Sequence, residues 1–574
     1  MTDSTPSPSP APHENPRPAA PPQSGGPFAP LKRAAFRSLW IAALASNIGT
    51  WIHEVGAGWA MTELGPSSLM VSLVQASTTL PMFLLSLPAG AFADVINRRK
   101  LMISMQAGMF IIAIILALAA WQGFLTAGLL IAATLGLGIG AAMINPAWQA
   151  AMSDLVPYEE LPSASALNSV SLNLSRAVGP ALGGVLVAQA GPYAAFALNA
   201  LSFVGILWAL WRWKYEPTRM AAPGERFIGA MKAGVRYIRH SPHMHAQLVR
   251  TACFSLFGSS LWALMPVVAR KHLKVEASSY GLMLASLGAG AVIGTLILPR
   301  IRARLGPNTI VVGATLVSAA AIVGIGLSTA LWLTAIAIGV AGMAWVTMVV
   351  CLNVAAMTGS PPWVRARALA CYFTVFFGGM AIGSALWGAL ADAAGIPQSL
   401  FIAACGLVVG LATMGKYRLK TPAQEDLKLS PHWEDPVVSR DINAEDGPVV
   451  VTVEYRIHAD NADAFVAAMA PVSQTRYRDG AFSWTLSRCT ENPERWLEVF
   501  MVESWAEHLR QHLRVTLADR RIQVHAKSFQ IDGAKPVVSH FIAVGMNGLK
   551  GSRTPAGHLH VHAQPDPRGH HHPH

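Results

Sequence analysis

Apolar residues gather along this chain into stretches of about twenty, and the stretches recur from about Phe36 to about Gly415. A helix of roughly 20 apolar residues is what crosses a hydrocarbon core about 30 Å thick. The pattern predicts twelve such helices, over residues 36–62, 67–94, 101–121, 126–152, 163–189 and 193–213, then 247–269, 278–299, 308–328, 331–356, 366–391 and 396–415. Beyond about Lys420 the runs stop and a mixed pattern begins. VVVTVEYRI, FSWTL, WLEVFMV and VVSHFIAV have the β-branched and aromatic content of strands. Residues 460–477 and 504–522 read as helices, the second with Leu509, Leu513 and Leu517 four apart. The predicted order is strand, helix, strand, strand, helix, strand.

One offset links distant segments. Adding 204 to Gly90, Arg98 and Lys100 reaches Gly294, Arg302 and Arg304. The same shift carries Gly179, Gly184 and Gly191 onto Gly383, Gly388 and Gly395, and Arg212 and Lys214 onto Lys416 and Arg418. Matches in one register point to an internal duplication. The expected fold is an all-α membrane protein of twelve transmembrane helices in two pseudo-symmetric six-helix halves, followed by a C-terminal α+β soluble domain. The expected boundaries are a disordered Pro-rich cytoplasmic tail over 1–30, bundles over 31–215 and 247–420, linkers over 216–246 and 421–448, the α+β domain over 449–545 and a His-rich tail over 546–574.

Composition agrees: 52% of the 574 residues are apolar and 13% charged, and the mean hydropathy of +0.39 is too high for an ordinary soluble protein. Lys and Arg near helix ends are retained on the cytoplasmic side. Arg98, Arg99 and Lys100 lie between helices 2 and 3, Arg219, Arg226, Lys232, Arg236 and Arg239 between 6 and 7, Arg300, Arg302 and Arg304 between 8 and 9, and Arg365 and Arg367 between 10 and 11. The opposite loops WQGFLT, QAGPY and DAAGIP carry none, and Arg270, Lys271 and Lys274 after helix 7 depart from the rule. Both termini are therefore expected in the cytoplasm of a cell whose inner membrane holds the bundle. The net charge of +12 reports this topology rather than a nucleic-acid surface. Cys253, Cys351, Cys371, Cys405 and Cys489 show no metal-site spacing and read as packing residues.

The motif GAFADVINRRK, residues 90–100, ends the second predicted helix with a glycine, then an aspartate four residues on, then three cations. With twelve helices in two related halves, it resembles the loop signature of the major facilitator superfamily. The resemblance implies that Gly90 permits close helix approach, that Asp94 bonds to the other half near the start of helix 11, and that Arg98, Arg99 and Lys100 stay at the interface, stabilising one state of alternating access. Val95 stands where a basic residue is common, and Asn97 where Gly is common. The second copy has Leu298 in the place of Asp94, so an ionic latch is expected on one side only. The plainer reading is that Asp94 caps a helix and the cations anchor the loop. A narrower resemblance, carried by IGTWIHEVGAGWAMTEL, PAWQAAMSDLVP and LNSVSLNLSRAVGPALGG and covering most of residues 36–415, is to the transmembrane secretion effectors, which include siderophore exporters of the enterobactin-exporter type. It implies efflux without fixing a substrate.

Glu54 and Arg176 are charges inside apolar helices, where each costs on the order of 2.5–3.5 kcal/mol unless paired or wet. Glu54 shares a helix face with Asn47 and Thr50, and Arg176 has Asn173 and Gly179 one turn away. A carboxylate beside a cation can exchange protons as its surroundings change, and His53 is a candidate third member. The alternative is a fixed Glu54–Arg176 pair that only holds helices 1 and 5 together. Gly179, Pro180, Gly183 and Gly184, with Gly379 and Gly383, read as helix-packing positions. GPALGG also resembles the end of a helix 5 motif of drug antiporters, with Ser175 where that motif has Gly.

RWLEVFMVESWAEHLRQH, residues 495–512, resembles the antibiotic biosynthesis monooxygenase family, a ferredoxin-like unit whose sheets pair across a dimer. His508 and His512 lie four apart, a metal-capable spacing, but no third ligand is evident, and helix-surface or dimer-contact histidines are the expected reading. Fusion to a transporter points to dimerisation, regulation or processing of cargo, in that order. His558, His560, His562, His570, His571, His572 and His574 read as a solvated tail able to bind Ni or Zn in vitro by density alone, with a physiological metal sensor as the alternative. The overall expectation is a proton-coupled exporter of a small amphipathic compound such as a siderophore, drug or secondary metabolite, with no cofactor, no metal and no nucleic-acid partner. Two alternatives stand beside it: an uptake carrier or uniporter, and a membrane-tethered oxygenase acting through residues 449–544.

Overall fold

A computed structural model describes residues 26–543 apart from positions 27, 66, 214–233, 362, 416, 420–423, 431, 434, 435, 437 and 439–441. Both tails, the linker cations Arg219, Arg226 and Lys232, and the side chains of Gly90 and Asp94 lie outside the described residues. Twelve long helices follow in order: α1 (Ala34–Leu64), α2 (Ser68–Val95), α3 (Arg98–Trp121), α4 (Ala127–Leu155), α5 (Leu161–Ala190), α6 (Pro192–Arg212), α7 (Pro242–Val267), α8 (Ala277–Arg304), α9 (Pro307–Leu327), α10 (Leu331–Thr358), α11 (Arg365–Ala394) and α12 (Ile396–Gly410). Eleven are long and apolar enough to cross a membrane. The remaining one, α1, is 31 residues long but carries Arg37, His53, Glu54 and Glu63, and it packs against α5 and α6.

Local chemistry sets the helix ends. Asn97 accepts a hydrogen bond from the Lys100 N–H at 3.1 Å and so caps α3. One of the two residues that depart from the superfamily signature, Asn97, is thus the one that starts the helix. Thr126 does the same for α4, accepting from Leu129 N–H at 3.2 Å. α5 and α11 start 204 residues apart, end 204 apart, and each stops at a glycine in the left-handed region, Gly191 at φ 83° and Gly395 at φ 96°. The offset of 204 is structural there.

It is not structural in the front of each half. α2 and α8 begin at 68 and 277, and α3 and α9 at 98 and 307, both 209 apart. Arg98 opens α3, whereas Arg302 and Arg304 close α8, so the match of Gly90, Arg98 and Lys100 at 204 is not an equivalence of positions. Under either shift the counterpart of Asp94 is apolar, Leu298 or Ala303.

The chain divides into two compact units. One comprises Met1–Ala222, Thr251–Val350 and Phe373–Ala412, and the other Pro223–Arg250, Cys351–Tyr372 and Thr413–His574. In the first, α2 packs with α4, α5 with α8, α1 with α5 and α6, and α9 with α12.

In the second, four strands, β1 (Val449–Arg456), β2 (Ala481–Arg488), β3 (Arg495–Val502) and β4 (Val537–Ile542), form an antiparallel sheet of order β2-β3-β1-β4. Helix α13 (Ala462–Asp479) joins β1 to β2, completing the ferredoxin-like arrangement. Val449, Val451, Val453 and Tyr455 alternate inward and meet Phe465, Met469 and Val472 of α13. The single helix expected over 504–522 is instead two, α14 (Trp505–His512) and α15 (Leu517–Lys527). Thr516 and Asp519 form a reciprocal capping box that starts a new helix. Leu509 and Leu513 are exposed, and the face turned inward carries Trp505, Glu507, His508 and Gln511. The leucine spacing is not a core stripe, because the buried face is mostly polar, with Glu507 held by ion pairs to Arg236, Arg510 and Arg514.

Candidate functional site

Glu54 and Arg176 do not pair. The Glu54 carboxylate faces Thr78 of α2, whose hydroxyl donates to the Val74 carbonyl at 3.2 Å. The Arg176 guanidinium lies 5.6 Å from the centre of the Trp51 ring, and its buried Nε has no acceptor. The glycines of α5 make this approach possible: a Cβ on Gly179 would stand 2.5 Å from Trp51 Cβ, and one on Gly183 3.1 Å from Ile52 Cα. A charge inside the membrane costs about 2.5–3.5 kcal/mol, and stacking on an indole returns about 0.5–2 kcal/mol. Arg176 is therefore under-compensated by its protein neighbours.

Beyond Trp51 the cluster is aromatic. Trp262 of α7 sits 6.2 Å from Trp51 and 5.7 Å from Trp345 of α10, and Trp345 touches Phe254 at 5.1 Å and Phe376 of α11 at 6.0 Å. The Trp262 indole N–H is buried and has no acceptor among the described residues. His53 is elsewhere: its ring packs on Phe196 of α6 at 4.9 Å, with neither ring nitrogen hydrogen-bonded. One residue along a helix turns a side chain by about 100°, which takes His53 off the Glu54 face.

Two seams flank this cluster. Along α5 and α8, a Cβ on Gly281 would stand 2.5 Å from Gly184 Cα and 2.7 Å from the Pro180 carbonyl, and one on Gly288 2.6 Å from the Arg176 carbonyl. Between α2 and α11, Asp392 accepts from the backbone N–H groups of Ser68 at 2.6 Å and Leu69 at 3.0 Å and from the Ser67 hydroxyl, so it caps α2 from another helix. Ser86 and Thr374 share a hydrogen bond of 2.8 Å on the same seam. In the second half, Gly379 and Gly383 let α7 approach α11, where added Cβ atoms would stand 2.0 Å from Ser255 Oγ and 2.1 Å from Ser259 Oγ. Sequence reasoning missed Asp392 and Trp262. Asp392 stands in the DAAG ending of α11, but its partner lies 324 residues away, and Trp262 is one of 17 tryptophans.

Of the cations after α2, Arg98 pairs with Asp154 at the end of α4 at 3.0 Å. Arg99 donates to the Leu210 carbonyl at 2.9 Å and to that of Trp211. Both tie helices of one half together. Lys100 is exposed. Arg270, one of the cations on the otherwise uncharged side, lies over Trp59 at 5.1 Å.

The C-terminal unit has its own buried charges. Glu498, fully buried, accepts from Arg476 Nε at 2.9 Å, Tyr455 Oη at 3.0 Å and Trp484 Nε1 at 3.0 Å. Burial alone would raise its pKa, but Arg476 and these hydrogen bonds hold it below the usual carboxylate range. Glu507 receives Arg514 at 2.7 Å, Arg510 at 2.9 Å and Arg236 at 2.5 Å, and Arg514 also covers Trp363 at 4.7 Å. His240 stacks on Tyr477 at 5.3 Å. Arg236 and His240 precede α7 and Trp363 precedes α11, so the α+β fold is bonded to those two approaches.

His508 is a core residue, not a surface one, at 1% exposure. Its Nε2 is 3.4 Å from that of His512, and its ring is 4.7 Å from His540, which the register of β4 against β1 brings there. His512 in turn meets Trp433 at 4.9 Å. Among the described residues no three His, Cys, Asp or Glu converge as metal ligands. Burial first, then His540 and His512, push the His508 pKa down to about 3. The group stays neutral in the fold and takes a proton when unfolded below its ordinary value, so its contribution is complete above pH about 6.5 and fades as pH falls towards about 3. We expect the C-terminal unit to lose up to about 1.4 kcal/mol per pH unit across that window. Hydrogen exchange of α14 and β4 amides in the full chain reads it. His508→Gln should flatten the slope, and an unchanged slope would remove His508 as its cause.

The chain matches the family described as transmembrane secretion effector over residues 25–547, which includes the C-terminal sheet as well as all twelve helices. Multidrug efflux pump Tap of Mycolicibacterium fortuitum is 25% identical over 422 residues, covering 70% of this chain and 98% of that protein. The staphyloferrin A transporter of Staphylococcus aureus is 25% identical over 262 residues, 45% of this chain and 65% of that protein. A crystal structure of a bacterial homologue of the human lysosomal transporter Spinster, inward-facing and unoccupied, superposes with a TM-score of 0.55 at 15% identity, over 68% of this chain and 98% of that one, which shows a shared fold. With its helices, its paired halves and this match in hand, the chain belongs to the transmembrane secretion effector family of major facilitator superfamily transporters.

Proposed function

We propose that this protein exports a small amphipathic compound across the bacterial inner membrane in exchange for protons, with both termini in the cytoplasm. The observation that carries the coupling is the separation of the two intramembrane charges. Glu54 faces the neutral Thr78 side chain rather than being locked to a cation. A carboxylate in a fixed ion pair cannot readily exchange its proton, whereas one facing a hydroxyl can do so with whichever side the site opens to. Arg176, over Trp51, is then left for the cargo. Asp94 and the cations that follow it serve as the gate on the basic side, and Asp392 supports a seal at the opposite end. Efflux is the named activity of a relative such as Tap, which supports the outward direction.

The C-terminal unit acts as a docking and dimerisation module in this reading. Met501, Val499 and Leu497 of β3 stand in register with Val450, Thr452 and Glu454 of β1, and Phe541 and Val537 of β4 continue the row on the face away from α13. Leu497, Phe541 and Val537 are exposed, as suits a sheet face that pairs with a second copy.

Cells lacking the protein should retain a compound that complemented cells release, or gain sensitivity to an amphipathic toxin. With that compound in proteoliposomes, Glu54→Gln should abolish proton-driven transport while leaving binding in place. Undiminished transport would take Glu54 out of the coupling role, and reduced accumulation of a medium component on deletion would turn the direction to uptake.

A further inference from the structure

Two donors in the aromatic cluster have no acceptor among the described residues. Arg176 presents a guanidinium that is permanently charged, stacked on Trp51 and hydrogen-bonded to nothing among the described residues, and its Nε is buried. The Trp262 indole N–H is buried and equally without a partner, and its ring lies against Trp51. Buried polar groups in folded proteins are nearly always satisfied, so two orphans flanking one tryptophan mark a place where a ligand completes the bonding. Glu54, the intramembrane carboxylate on the same helix as Trp51, faces Thr78 and supplies neither donor with an acceptor. The cluster as it stands is therefore cationic, rich in donors and lined with indole and phenyl faces.

We propose that Arg176 and the Trp262 N–H bind a carboxylate or comparably compact oxyanion of the transported compound, and that Trp51, Trp345, Phe254 and Phe376 hold a planar apolar part of the same molecule. This rests on the transporter reading and narrows its substrate to aromatic or planar acids. The chemistry fits each side: a guanidinium offers paired donors to an oxyanion, indole N–H donates only, and aromatic walls take a flat ring by stacking or edge contact. Amphipathic cations are disfavoured, because their charge would meet Arg176 with no carboxylate in reach. Arg176 also sits where α5 meets α8, since a Cβ on Gly288 would touch its carbonyl at 2.6 Å. An anion bound there lies next to a helix seam and is positioned to be exposed when that seam opens.

The test uses the full chain in lipid nanodiscs with three probes of one shape: 2-naphthoate, 2-naphthamide and 2-naphthylmethylammonium, read by calorimetry and by quenching of tryptophan fluorescence. The acid should bind about tenfold more tightly than the amide, and the ammonium least well. Arg176→Gln should erase the preference for the acid while the amide changes by less than about twofold, Arg176→Lys should keep part of it, and Trp262→Phe should weaken the acid alone. A purely structural arginine would instead weaken all probes together or none. Equal or tighter binding of the amide or the ammonium by the unaltered protein, no binding of any probe, or an acid preference that survives Arg176→Gln would overturn the proposal. The unaltered protein and Trp262→Phe keep the test decisive should Arg176→Gln fail to fold. Because the readout is binding, a preference for cations would sink this inference and leave export standing. Failed export with a clear acid preference would do the reverse.

Discussion

Replacing Glu498 by alanine should destabilise the C-terminal unit by about 3–5 kcal/mol, the largest single-residue effect expected in this protein. The carboxylate is fully buried and takes four hydrogen bonds, two from Arg476 at 2.9 and 3.3 Å, one from Tyr455 and one from Trp484. Its loss leaves the Arg476 guanidinium inside the fold without its bonded carboxylate, facing the rings of Trp433 at 4.9 Å and Phe500 at 4.6 Å and the charge of Asp479, which is itself engaged by Arg478. Removing one member of such a pair costs far more than the pair is worth, because the survivor remains desolvated and uncompensated. The joint replacement Glu498→Leu with Arg476→Met should recover much of the loss. Native-state hydrogen exchange of the β1 and β3 amides in the full chain gives both values, and a loss below about 1 kcal/mol for Glu498→Ala would mean that water reaches Arg476 and that the core is looser than described.

A leucine at Gly281 should part the seam between α5 and α8. Even its Cβ would stand 2.5 Å from Gly184 Cα and 2.7 Å from the Pro180 carbonyl, both backbone atoms that no rotamer change can move aside. Overpacking of a well-packed site costs about 1–3 kcal/mol and more where backbone must shift. Gly313→Leu is the matched control, since nothing lies within 4 Å of a Cβ there. The expected result is a lower melting temperature in detergent and loss of most transport for Gly281→Leu, with the control unchanged. Equal behaviour of the two variants would show that the seam is not closed in solution.

The α5–α8 seam also marks how far the sequence can be read. That residues 161–190 and 365–394 are helices with glycine stops is legible, because the bilayer fixes the length of an apolar run and a left-handed stop favours glycine. Which glycine faces which helix is not, because Gly184 and Gly281 are brought together by packing nearly a hundred residues apart. The capping box at Thr516 and Asp519 was legible and went unread, since the evenly spaced leucines around it suggested a single helix. The false equivalence of Arg98 with Arg302 has a similar cause: α9 and the loop after it are five residues shorter than α3 and its loop, so the offset changes from 209 to 204 within each half, and cations cluster at helix ends whatever their ancestry.

By itself the sequence determined the twelve long helices, eleven of them apolar enough to cross a membrane, the clustering of cations at their ends, the change of pattern at the C-terminal unit and the two charges inside apolar helices. All of these follow from local rules of hydropathy, charge and capping that act within a few turns of chain. The tertiary structure decided their partners. It gave Glu54 to Thr78 and Arg176 to Trp51, turned His53 onto Phe196, and drew His540 to His508 through strand register. Hydrogen bonds and ring contacts act over a few ångströms, so they depend on which helices and strands become neighbours, and no local rule fixes that.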